Sequence, residues 1–509
     1  MSGQSESRGQ SGRVSYDFQR RSLRCAVWLA LIVMFLSRIA TNIVDLDLFH
    51  QMALIRESIV LGHIPTMDRF AYTPTLPYTV HHEWGAGVMA YFVTTWFGGP
   101  GLLLLKYLLA AVLAWLCIAV AGSRNPDFLP AFAILAPVGI LFVGHAFSPV
   151  RAHLYSLVLV ACLLYFLEWD RKGDRRWVVF WLPLSVLWAN LHAGFVVGIV
   201  LIGVHCLEQL LRGKQWLHLP LVAAAMVLLA GINPYGTHYY SYLWRGLGMS
   251  RQAIGEWGPI WPPFASVDSV ALLLSLLLIL YAAWKIGLRK MPGLAILCAT
   301  AAEGALHHRM IPFFAIAWAC YVPGYVLDTP FGVRLKALFD RPPLIYQAAW
   351  VVVAIFFLNV TITYRPWNLA VPGDGKADET AYPTGAVDYL SKLQFKGNAM
   401  VPFEYGAYVS WKMYPAVLVS IDSRYEVAFP NWWADAVFRL YGAQPGWKQT
   451  LAAYGTDVVL VRRTQPLAQA MKEVNWRRIY IDRAYEIYER PGLDLAMVDY
   501  QRRGSSRCP

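Results

Sequence analysis

From Cys25 to Thr363 the chain alternates between long apolar runs and short polar turns, and beyond Arg365 that alternation stops. The apolar runs fall at about 25–44, 101–121, 128–147, 152–168, 177–191, 194–211, 216–232, 267–286, 292–306, 310–328 and 345–363. A helix needs roughly 20 mainly apolar residues to cross a bilayer, and these runs are near that length. The pattern predicts a polytopic α-helical membrane protein with about eleven transmembrane helices. Residues 364–509 read differently. Strand-like runs at 398–403, 416–421, 457–461, 477–481 and 485–488 alternate with helical stretches around 385–393, 432–441, 446–454 and 466–473. That pattern predicts a C-terminal soluble α/β domain.

Composition sharpens this division. The chain is 57% hydrophobic and 15% charged, against about a quarter charged in an ordinary soluble domain. The formal net charge of +12 does not point to nucleic acid, because Lys and Arg cluster in short turns between apolar runs, which is the positive-inside signature. The turn Asp170–Arg176, with Arg171, Lys172, Arg175 and Arg176, is therefore expected to be cytoplasmic. So are Arg20, Arg21 and Arg24, Arg212 and Lys214, Lys285, Arg289 and Lys290, and Arg334, Lys336 and Arg341. One topology satisfies them all, provided Trp84–Phe97 does not cross and instead lies as an interfacial helix on the outer side, ending at Gly98-Gly99-Pro100-Gly101. Residues 1–24 are then a disordered cytoplasmic N-terminus, 25–363 the transmembrane domain with a first outer loop at 45–100, and 364–509 an extracytoplasmic domain. The first span lacks a small-residue cleavage site and reads as uncleaved. Of seven cysteines only Cys508 lies in the soluble part, and no CxxC pair exists, so neither a metal knuckle nor a disulfide framework is expected.

In this topology the loops rich in His, Asp, Glu and Asn all share the outer face. A transporter places its polar groups near the bilayer midplane, whereas polar groups gathered at one surface suit a site that meets a lipid-linked substrate. The first outer loop opens with Asp45 and Asp47, followed by His50. One carboxylate is a candidate general base, and the pair is a candidate site for a divalent cation, Mg or Mn; the plain alternative is an N-cap for the helix 48–60. His82 and Glu83 follow a Pro-rich stretch, with Glu83 either a second acid or a helix cap. The HExxH spacing of a zinc site is absent. Arg151 and His153 open the fourth span and suit phosphate binding, or simple snorkelling. Asn190 and His192 interrupt an apolar stretch, where polar groups are costly unless they face the bundle or a cavity. Asn233 and Tyr235 lie in ordinary turn chemistry. Glu256 and Trp257 are candidates for lining a sugar site, and His307, His308 and Arg309 for contacting phosphate. In the C-terminal domain the aromatic cluster Trp411, Tyr414, Tyr425, Trp432 and Trp433 reads first as core and second as a sugar platform.

These residues, in this order, resemble a large bacterial family of GT-C superfamily membrane proteins. The matching segments are the acidic pair after the first span, LGHIPTMDRFAYT, HEW, WANLHAGF, NPYG and EWGP. YPTGAVDYL, FEYGAYVSWKM and VSIDSRYEVA match in the outer domain. The chain departs from the pattern at Ser423, where the family usually has Gly, and at Ala152, where many members have Pro. The resemblance implies an inverting glycosyltransferase whose first outer loop carries the catalytic acids, here Asp45, Asp47 and Glu83. It implies a polyprenyl-phosphate sugar donor, a glycan, lipid or protein acceptor, no organic cofactor, no nucleic acid, and a place in a bacterial inner membrane. A glycan polymerase or ligase using a lipid diphosphate is the nearest alternative, and a non-catalytic GT-C-like scaffold of an envelope or polysaccharide machine is another.

Overall fold

The computed structural model describes residues 3–247, 255–261, 266–369 and 382–495. Parts of the expected outer loop 233–266 and the stretch carrying Cys508 lie outside them. The membrane part contains α1 (Gly3–Ile39), α2 (Leu46–Leu61), α3 (Trp84–Arg124), α4 (Leu129–Phe147), α5 (His153–Arg171), α6 (Trp177–Leu191) and α7 (Phe195–Leu211). It continues with α8 (His218–Leu229), α9 (His238–Leu247), α10 (Val267–Ile286), α11 (Leu294–Leu306), α12 (Ile311–Leu327), α13 (Pro330–Asp340) and α14 (Leu344–Thr363).

Each of the eleven expected spans falls on a helix, and seven of these helices are long and apolar enough to cross a membrane. The other four, α6, α7, α8 and α11, are shorter. The shortest, α8, has 12 residues, about 18 Å at 1.5 Å per residue, well below a hydrocarbon core of about 30 Å. The first span also differs at both ends. The chain is already helical from Gly3, where composition predicts no order, and it leaves the helix at Ile39 rather than near 44. The helix expected over Trp84–Phe97 is present as the first arm of α3. Gly98 takes φ 63° and ψ −156° inside that helix, a conformation open to glycine, and Pro100 follows without an N–H to repair the ladder. Trp84–Phe97 is thereby set at a kink from the long apolar arm behind it.

Two short strands, β1 (Ile43–Val44) and β2 (Pro149–Val150), pair in parallel just beyond α1 and α4. They are held by Lys106 of α3, whose buried Nζ donates to Ile39 O at 2.7 Å, Asn42 Oδ1 at 2.8 Å and Ser148 O at 2.8 Å.

The C-terminal domain, expected on the outer side, is built on a five-stranded sheet in the order β4 (Val417–Val419), β3 (Gly397–Met400), β5 (Val458–Arg462), β7 (Tyr485–Glu489), β6 (Arg477–Ile481). The first three strands are parallel and the last two antiparallel. All five expected strands are present. The helix Gly406–Met413 was not expected, because its aromatic and β-branched residues carry no helical period. Its Tyr408 packs on Phe49 of α2, ring to ring at 5.2 Å, within one apolar cluster shared by α2 and the sheet. The first outer loop completes the join. Phe70 O accepts from Val419 N at 2.9 Å, Tyr72 N donates to Val419 O at 3.2 Å, and the loop so covers the β4 edge, satisfying groups that an open edge leaves unpaired.

Candidate functional site

A cavity of about 950 Å³ lies between one end of the helical bundle and the C-terminal domain. Its wall gathers most of the candidate residues: Asp45, Asp47, His50, His82, Glu83, Arg151, His153, His192, Glu256, Trp257, His307 and Arg309.

Asp45 is placed by the β1–β2 pair. Val44 stands opposite Val150, so the residues that follow them, Asp45 and Arg151, emerge side by side. Arg151 Nη1 lies 3.9 Å from Asp45 Oδ2. Asp45 is also the N-cap of α2, its Oδ1 accepting from Asp47 N at 3.0 Å. Capping and a cavity-facing role coincide, because only one carboxylate oxygen is used by the cap. Burial raises the pKa of Asp45 above the usual carboxylate range, and Arg151 opposes that rise. Burial, together with the charges of Asp45 and Glu83, pushes Asp47 well above that range, against a hydrogen bond from Ser423.

Glu83 sits differently. It makes no side-chain cap on α3. Its carboxylate takes a short hydrogen bond from Gln51 Nε2 and lies 3.3 Å from His192 Nε2 and 3.5 Å from His82 Nε2. Gly194 N–H donates to His192 Nδ1 at 2.9 Å, which leaves Nε2 as the protonated nitrogen facing Glu83. Although burial opposes it, the partnership with His82 and His192 holds the Glu83 pKa below its usual value. Burial lowers His192 to about 3 and His50 to about 4, so both are neutral imidazoles near pH 7.

The wall next to Asp45 is cationic. Arg151 Nη1 lies 3.4 Å from Glu256 Oε2, and Arg309 Nη1 lies 3.7 Å from the same oxygen. Arg309 also lies over the Trp257 ring at 5.7 Å, and His307 Nδ1 is 3.0 Å from Trp257 O. Among the described residues, Arg151 Nε and both nitrogens of His153 are buried without a hydrogen bond to the protein. The wall therefore holds donor capacity that the fold itself does not use.

Four candidates lie elsewhere. Asn190 accepts from Trp84 Nε1 at 2.9 Å and donates to Ile232 O at 2.9 Å, pinning the first arm of α3 to the bundle. Asn233 accepts from Tyr235 N at 2.7 Å in a turn. Tyr235 is buried in the core. His308 turns to Asp268 at 3.1 Å. The cavity also contains residues absent from the candidate set: Gln51, His81, Ser423 and Arg424. The last two lie in the IDSRY stretch, whose charged residues within a strand-and-turn pattern were the available signal. Of the aromatic cluster, Tyr425 reaches the cavity, Trp433 is core, Trp432 is exposed, and Trp411 lies under Arg56 at 4.6 Å.

No protein-family model and no curated protein matches this chain. Solved structures do. The oligosaccharyltransferase AglB of Archaeoglobus fulgidus, in complex with an inhibitory peptide and a dolichol-phosphate, aligns with a TM-score of 0.57 at 12% identity, over 94% of this chain and 75% of that one. The same organism's oligosaccharyltransferase in complex with Zn and sulfate aligns with a TM-score of 0.53 at 12% identity, over 86% and 68%. The mycobacterial arabinofuranosyltransferase AftD aligns at 0.52 and 14% identity, over 92% of this chain and 40% of that one. The chain thus shares the fold of these oligosaccharyltransferase and arabinofuranosyltransferase structures, and it carries a C-terminal sheet domain.

Proposed function

We propose that this protein is a glycosyltransferase of a bacterial inner membrane that moves a sugar from a polyprenyl-phosphate donor to a glycan, lipid or protein acceptor on the extracytoplasmic side. The observation that carries the reading is one cavity in which Asp45, Asp47 and Glu83 face Arg151 and Arg309. In an inverting transfer the acceptor oxygen attacks the anomeric carbon and the bond from that carbon to the phosphate oxygen breaks. The acceptor proton then passes to a carboxylate. Asp45 takes that proton in this reading, with Asp47 its nearest substitute. The guanidinium groups of Arg151 and Arg309 stabilise the charge that develops on the leaving phosphate. Glu83, ionised and clamped by Gln51, His82 and His192, keeps the acidic wall in place.

A divalent cation, Mg or Mn, fits the acidic pair in part. Asp45 and Asp47 present buried carboxylates whose proton affinity is raised, the setting in which a cation would replace the proton. Among the described residues no group of three or more ligating side chains forms, so the donor phosphate and water would complete the ligand set. The cation would add charge neutralisation at the phosphate. The dolichol-phosphate and the zinc and sulfate held by the two archaeal structures are compatible with both assignments.

A lipid-diphosphate donor, as a polymerase or ligase would use, is the second reading. It is favoured by the pairing of Arg151 and Arg309 through Glu256, which sets two guanidinium groups along one wall. The test is lipid-linked glycan analysis in a deletion strain complemented with wild type or with the Asp45→Asn, Asp47→Asn double variant. Accumulated polyprenyl-linked sugar and lost product in the double variant are expected. Wild-type product levels in that strain would overturn catalysis and leave the scaffold.

A further inference from the structure

The outer domain reaches the cavity at Phe403 and at the stretch Ser423–Val427, and the turn that opens this stretch is anchored on both sides. Ser420 O accepts from Trp433 Nε1 at 2.9 Å and from Thr73 Oγ1 at 2.5 Å. Arg424, only 1% exposed along its side chain, pairs with Asp422 at 2.6 Å and with Asp68 of the first outer loop at 2.5 Å. Ser423 lies between these anchors. Its Oγ is 3.2 Å from Nδ1 of His50, a residue 373 positions away, and its hydroxyl favours the charged form of the neighbouring Asp47 carboxylate.

A hydroxyl carries one proton. When Asp47 is in the charged form that Ser423 favours, the carboxylate can only accept, so the hydroxyl proton turns to Asp47 and the hydroxyl oxygen accepts from His50. Nδ1 of His50 is then the protonated nitrogen, and Nε2 holds the lone pair. Among the described residues no protein hydrogen bond to Nε2 is recorded, and His50 lines the cavity. A serine in an exposed turn ordinarily bonds its own backbone or water. This one instead bridges two groups of a distant helix.

We propose that Ser423 is a positioning residue of the transfer site: an outer-domain hydroxyl that fixes the carboxylate of Asp47 and the tautomer of His50, so that docking of the outer domain completes the acidic pair. The proposal rests on the glycosyl-transfer reading. It gives the outer domain a part in the catalytic centre, beyond the core and sugar-platform readings of its aromatic cluster.

The test is steady-state kinetics on the full-length protein in detergent or nanodiscs, with a polyprenyl-phosphate sugar, together with 15N spectra of labelled histidine. Ser423→Ala should lower kcat roughly ten- to a hundredfold, as loss of a hydrogen bond to a charged group does, with KM for donor and acceptor unchanged. Ser423→Thr, which keeps the hydroxyl, should recover most of the rate. In an Asp47→Asn background Ser423→Ala should add little, because the two act as one unit. The His50 resonance, identified by its loss in His50→Gln, should show a protonated Nδ1 that Ser423→Ala perturbs. Wild-type kcat in Ser423→Ala, or losses that multiply in full in the double variant, would overturn the proposal. An unchanged nitrogen spectrum in Ser423→Ala would overturn the contact itself. Absence of transfer by the wild type, with the spectral signature intact, would instead overturn the functional reading.

Discussion

Asp45 and Arg151 stand side by side because Val44 and Val150, one residue before each, pair in a two-residue parallel ladder, which brings Nη1 of the arginine to 3.9 Å from the carboxylate. The proposed base and the proposed phosphate ligand thus share one backbone support. Asp45→Asn should lower transfer by roughly two to four orders of magnitude, and Asp47→Asn should show the same loss or a weaker one. Abundance should stay near wild type, because asparagine still caps α2. Quantifying product against membrane-inserted protein checks this.

The two kinds of carboxylate should separate in a pH profile. Asp45 and Asp47 have pKa values raised by burial. A base must be deprotonated to act, so the rate should fall as pH drops through those raised values, above the ordinary aspartate range. Glu83 is held below its usual value and stays ionised throughout. Its charge also helps to raise Asp45 and Asp47, so Glu83→Gln should lower the rate and shift the acidic limb to lower pH. A limb that vanished in that variant would make Glu83 itself the titrating group.

The buried set Asp68, Arg424 and Asp422 joins the first outer loop to the outer domain. Asp68→Ala leaves a buried guanidinium with one partner fewer, a change that costs about 3–5 kcal/mol. A clear fall in the thermal midpoint is expected, measured by light scattering or tryptophan fluorescence in detergent. An unchanged midpoint would mean that the junction adds nothing to stability.

Asn233 shapes a turn rather than lining the cavity, since its oxygen accepts from Tyr235 N at 2.7 Å. Asn233→Asp retains that acceptor and should leave KM and kcat close to wild type. Asn233→Ala should cost about 1 kcal/mol of stability with little change in KM. A large rise in KM for either variant would bring this residue back to the substrate.

Orientation is open to a direct test. Reporter fusions after Lys172 and after Pro509 should report opposite sides of the membrane, with Lys172 cytoplasmic. The same side for both would break the eleven-helix topology.

The sequence by itself determined the architecture. Apolar runs near the length of a bilayer specify helices locally, through the cost of unpaired backbone in lipid. Period-two runs bounded by turns did the same for the five strands of the outer domain. It also marked most of the cavity wall, since Asp, Glu, Arg and His at the edges of spans are costly without a role. Other features depended on contacts between residues far apart in the chain. Tertiary structure alone turned Asn190 and His308 away from the cavity, to Trp84 and Asp268. It alone set Arg151 beside Asp45, through a two-residue strand pair too short to show any period. It alone brought Ser423 to His50 across 373 positions. Hydropathy acts over one helix or strand and is legible in a single stretch of sequence. Which polar group meets which depends on how those elements dock, and that is decided by packing between distant surfaces.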